Sequence, residues 1–114
     1  MTIDDLRAYG ADVNEGLGRC LNNEAFYLRM VGLMAGDTHD QALEAAVAAG
    51  DLQAAFEAAH ALKGSLANLA LKPALDAVTA ILEPLRAKEA RTDYPALAAE
   101  VTREMARLKA LIGA

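Results

Sequence analysis

The sequence has a single cysteine, Cys20, in 114 residues. A lone thiol cannot close an internal disulfide, so a cross-linked scaffold is excluded and a reduced thiol is the simplest state. As a small apolar side chain, Cys20 is expected to pack rather than react. Basic residues are also in deficit: 11 Lys and Arg stand against 16 Asp and Glu, a net charge of −5. Nucleic-acid backbones and anionic membrane surfaces both require a basic face, so neither is an expected partner. No window holds ~18 consecutive apolar residues, the length needed to cross a bilayer. The opening Met1-Thr2-Ile3-Asp4-Asp5 lacks the basic start and apolar run of a signal peptide. A glycine-rich phosphate loop and kinase motifs are missing too, so a kinase active site of its own is not expected. These absences lead us to expect a cytoplasmic monomer without cofactor or resident metal.

What is present is a helical pattern. Hydrophobic residues make up 54% and charged residues 24%, enough of each for one folded domain spanning residues 1–114. Alanine is abundant, and apolar residues recur at spacings of three and four with no strand-like alternation. Thr2 and Asp5 suit the start of a short helix that Gly10 stops. A weak helix over 12–20 follows, then one capped by Asn23 and running to Met34, with Gly36-Asp37-Thr38 as a break. The spacing predicts helices over 41–49 and 52–70, the second capped by Asp51. Pro73 opens the next, with Leu75, Val78, Leu82 and Leu85 as its seam and Pro84 expected to bend or fray it. Asp93 is expected to cap the last, whose seam is Leu97, Val101, Met105, Leu108 and Ile112. The fold class is all-α: an antiparallel four-helix bundle with short additional N-terminal helices.

The helix over 52–70 carries the chemistry. On a wheel of about 100° per residue, Leu52, Ala55, Ala59, Leu62, Leu66 and Leu69 define the core side, and His60 falls about 120° from its centre. Its flank holds Glu57, Lys63, Gly64 and Ala67. Gly64, at i+4, covers nothing, although a glycine inside a helix costs roughly 0.5–1 kcal/mol against alanine. Lys63, at i+3, can swing its ammonium back towards the imidazole. An ordinary imidazole, with a pKa of ~6.5, is mostly neutral and nucleophilic near pH 7. An incoming phosphoryl group needs in-line access and a cation for its oxygens. Taken singly, these are a surface histidine, a solvated lysine and a helix flaw; together on one flank they make a phosphoryl-acceptor site.

The segment His60-Ala61-Leu62-Lys63-Gly64-Ser65 resembles the signature of histidine-phosphotransfer domains: His, any residue, Leu, Lys, Gly, then Ser or Ala. Tyr9 to Asp12, Asn23 to Arg29, Gly50-Asp51-Leu52 and Asn68-Leu69 are also similar to members of that family. The resemblance implies a phosphocarrier of two-component phosphorelays, with His60 as acceptor, Lys63 as phosphate-steadying cation and Gly64 as clearance residue. It implies receiver domains as partners, together with a hybrid histidine kinase, and Mg²⁺ supplied by the receiver. Arg86 falls where some relatives keep a basic residue. Ala67 and Ala70 replace glycines frequent in the family. Leu82 stands where many relatives carry Gln or Glu to orient the histidine, so either another group, with Thr79 and Glu83 as candidates, orients His60 or its ring is held loosely. Leu17, Cys20 and Leu21 are expected at the docking surface. Two other readings stay open: a docking or kinase-linked module, and a metal site built from His39, His60 and Cys20.

Overall fold

The computed structural model describes all 114 residues and contains seven α-helices and no strand. Four form an antiparallel bundle: α4 (His39–Ala48), α5 (Leu52–Asn68), α6 (Lys72–Arg86) and α7 (Tyr94–Gly113). Each packs on the next, and α7 closes the ring on α4. The short links at 49–51 and 69–71 force the chain to reverse at once, which makes neighbouring helices antiparallel. Three shorter helices precede them: α1 (Ile3–Tyr9), α2 (Val13–Arg19) and α3 (Glu24–Gly32).

Local chemistry sets most of these boundaries. Thr2 and Asp5 form a reciprocal capping box on α1. Asn23 accepts from the Phe26 amide at the start of α3, and Asp51 from the Ala54 amide at the start of α5. Such a cap contributes about 1 kcal/mol. The long helices then bury one stripe each. Leu62 and Leu66 of α5, Val78, Ile81 and Leu82 of α6, and Val101, Met105 and Leu108 of α7 are fully buried in one continuous core.

Three expectations about helix ends change. The helix expected to reach Met34 ends at Gly32 and tightens into a 3₁₀ turn, Leu33–Gly36. The next begins at His39 rather than Gln41, because the Asp37 carboxylate accepts the His39 amide at 2.8 Å. Asp93 precedes α7 but does not cap it with its side chain, since Arg91 holds both carboxylate oxygens, at 2.9 and 2.6 Å. A two-pronged guanidinium bond to a carboxylate outcompetes a single amide. Pro84 sits inside α6, buried, and the helix ends two residues later at Arg86.

The N-terminal helices cover the α5–α6 turn. The Tyr27 hydroxyl donates to the Leu69 carbonyl at 2.8 Å, and the Asp12 amide donates to the Ala70 carbonyl. The Tyr9 hydroxyl accepts from the Ala74 amide, while Arg107 donates to the Tyr9 carbonyl and lies over its ring. Burial pushes the Tyr9 and Tyr27 phenols up to about 12. Gly16 is required here, because a Cβ at that position would lie 2.6 Å from the Tyr27 ring.

The turn itself stores strain. Ala70 has φ 55, the left-handed conformation that closes a helix end, with the Leu71 amide bonded back to the Leu66 carbonyl. An L-residue there costs roughly 1–2 kcal/mol, part of which glycine returns by its freedom in the unfolded chain. Ala70→Gly is therefore expected to stabilise the protein by about 1 kcal/mol or slightly less. Its thermal midpoint should rise by a few degrees; a fall would show that the buried methyl outweighs the backbone strain.

Candidate functional site

His60 lies at the middle of α5, exposed, on a helix whose start is capped and whose opposite face is locked in the core. Ala55, Ala59, Leu62 and Leu66 are completely buried, so the expected core stripe and its flank are where the wheel placed them. Leu52 is the exception. At the first position of the helix it escapes the core, 39% exposed, and lines a groove of about 330 Å³ with Phe56, Leu85, Arg86 and Lys88.

Gly64 is exposed, and a Cβ built on it meets no atom within 4 Å. Its backbone is ordinary helix, unlike Gly10 and Gly50 with φ of 112 and 71. Neither packing nor backbone geometry demands glycine at 64, yet a glycine here forfeits about 1 kcal/mol of helix propensity. Its effect is to leave the surface beyond His60 flat. Gly18 and Gly32 are equally open but lie at helix ends, where the propensity loss is small. Lys63 is half-buried, and the lysines that pair with carboxylates are Lys72 and Lys109, so the Lys63 ammonium is uncommitted.

Neither Thr79 nor Glu83 orients His60 by a hydrogen bond. No protein group hydrogen-bonds its ring. Leu82 is fully buried, and its aliphatic side chain cannot accept a hydrogen bond from the imidazole. Thr79 donates its hydroxyl to the Leu75 carbonyl, and Glu83 pairs with Arg86 at 3.9 Å. The contact that does exist is with Phe56, whose ring stacks on the imidazole at 5.6 Å between centroids and 15° between planes. The Arg86 guanidinium lies over the same Phe56 ring, 5.5 Å from its centroid. Phe56 was legible in the sequence. Helical side chains lean towards the N-terminus, so the residue beneath His60 is the one at i−4.

Other expected residues fall elsewhere. Cys20 is 2% exposed and cannot contribute to a docking surface, whereas Leu21 is 86% exposed and Leu17 half-buried. His39 bonds Asp37 at 3.0 Å through Nδ1. No group of three or more His, Cys, Asp or Glu side chains is arranged to hold a metal ion. No helix is long and apolar enough to cross a membrane.

The structure thus places an exposed, unbonded histidine in mid-helix on an antiparallel bundle. Residues 29–111 match the model of the Hpt domain, well over half of the chain, and the protein belongs to this histidine-phosphotransfer family. The family serves phosphotransfer in two-component signalling as a phosphocarrier module, and its members interact with receiver domains. No curated protein and no solved structure matches the chain.

Proposed function

We propose that this protein accepts a phosphoryl group on His60 and exchanges it with the aspartate of receiver domains. The observation that carries the reading is an imidazole bonded to nothing beside a glycine whose Cβ position is empty. In the forward step an unprotonated ring nitrogen attacks phosphorus as the aspartyl P–O bond breaks, and the aspartate leaves as carboxylate. The other ring nitrogen keeps its proton. Lys63, free of carboxylate partners, offers its ammonium to the equatorial oxygens, where a charge-assisted hydrogen bond is strongest. Gly64 leaves room for the approaching receiver, which brings the Mg²⁺. We take residues 1–114 as one phosphotransfer unit, monomeric and cytoplasmic, loaded by a hybrid kinase or by a receiver.

Docking is proposed over the His60 flank and onwards to the N-terminal helices. Leu33, 64% exposed, shares a groove with Met30 of α3 and with Ser65 and Asn68 of α5, beyond Gly64. Leu21, 86% exposed, lines a second groove with Phe26 and Arg29 of α3. A transient contact of modest area suits a carrier that must release its partner.

Incubation with phosphorylated receivers tests both parts. The expected result is a mass increase of one phosphoryl group on the chain and its return to unphosphorylated receiver. Backbone NMR shifts on adding receiver should centre on Gly64 and Ala67. Binding without transfer would make the chain a docking module instead, and shifts centred on Arg103 and Arg107 of α7 would place the interface on another face.

A further inference from the structure

We propose that Phe56 is the positioning residue for the His60 imidazole, fixing the plane of the ring by stacking. The proposal rests on His60 as acceptor and adds how that side chain is held. A nucleophilic ring must point a nitrogen at phosphorus, and an unrestrained imidazole spreads over several rotamers. The usual restraint is a hydrogen bond to one ring nitrogen, which fixes both tautomer and orientation. That restraint is missing here: the residues of α6 nearest in sequence to the task are buried, as Leu82, or bonded elsewhere, as Thr79 and Glu83.

Phe56 supplies a restraint of another kind. Its ring lies almost parallel to the imidazole, offset at 5.6 Å, an arrangement aromatic pairs favour. The stack occupies a face of the imidazole and leaves both nitrogens unbonded at the ring edge. It also places the bulk on the N-terminal side of His60, while Gly64 leaves the C-terminal side open. Phe56 is itself held, since it is half-buried and the Arg86 guanidinium lies over its ring, with Glu83 pairing to Arg86 in turn. A chain of contacts from Glu83 through Arg86 and Phe56 thus ends on the imidazole. Planarity is what the stack uses, so an aliphatic residue of similar size cannot replace it.

Phosphoramidate is a suitable probe because it reaches His60 without a docked protein. The ring nitrogen attacks phosphorus, the P–N bond of the donor breaks, and ammonia leaves. Phe56→Leu is expected to label at least tenfold more slowly than wild type at saturating donor, with circular dichroism unchanged and the thermal midpoint lowered but far above the assay temperature. Phe56→Tyr, which keeps the planar ring, should restore most of the rate, and Phe56→Met should not. Labelling of Phe56→Leu at the wild-type rate overturns the proposal. So does an equal loss in the Leu and Tyr variants, which would mean that Phe56 serves packing alone. His60→Gln in the same assay separates the two readings: if it still labels, the acceptor assignment fails. An unlabelled wild-type chain removes the acceptor reading and the positioning role with it.

Discussion

His60→Gln is expected to abolish phosphorylation from any donor while leaving the bundle folded. The side chain is exposed, so the substitution should move stability by no more than about 0.5–1 kcal/mol, the scale of a lost aromatic stack. Circular dichroism and a denaturant midpoint check the fold, and intact mass after incubation with a phosphorylated receiver checks the chemistry. The other histidine, His39, is already bonded through Nδ1 to Asp37 and begins a helix instead of facing a glycine. It should carry no phosphate in the wild type or in the variant. A phosphoryl group on His60→Gln, at His39 or elsewhere, would sink the assignment.

Gly64 gives the second large effect, with opposite signs for stability and rate. Because a Cβ here meets nothing, Gly64→Ala should stabilise the helix by roughly 0.5–1 kcal/mol. Gly64→Gln should also leave the fold standing. Its longer side chain fills the space in front of the imidazole, and transfer from a receiver should slow by at least about tenfold, a barrier rise of about 1.4 kcal/mol or more. Phosphoramidate needs less room than a protein, so its reaction should suffer less than the receiver's. Rapid-quench measurement of receiver-to-chain transfer decides the matter: a Gly64→Gln protein exchanging at the wild-type rate would remove the clearance argument.

Much of this was legible in the residues, for local reasons. Helices with strong stripes and side-chain caps, such as α5 with Asp51, announce themselves because the physics that forms them acts within a few residues. The exposure of His60 and the emptiness around Gly64 followed from the same periodicity. What was hidden depends on competition between elements. Asp93 looked like a cap until Arg91 claimed its carboxylate. Thr79 and Glu83 looked free to orient the imidazole, but Thr79 bonds the Leu75 carbonyl and Glu83 pairs with Arg86. Cys20 offered no pattern that separates a docking residue from a core one. The Phe56 stack belongs to a different class: its i−4 spacing is visible in the sequence, and the N-terminal lean of helical side chains brings the two rings together.

The bonds over the α5–α6 turn bear on where this module is cut. The family match begins at residue 29, yet the partners of Leu69, Ala70 and Ala74 are Tyr27, Asp12 and Tyr9, all upstream of it. A chimaera joined at residue 29 would strand two carbonyls and an amide, lay bare the apolar end of the bundle, and leave the strained Ala70 turn unbraced. Each orphaned polar group that stays shielded from water costs about 1–3 kcal/mol. Fusions that transplant this phosphotransfer unit into another signalling protein should therefore carry the chain from α1 onwards, even though the proposed acceptor, His60, lies downstream.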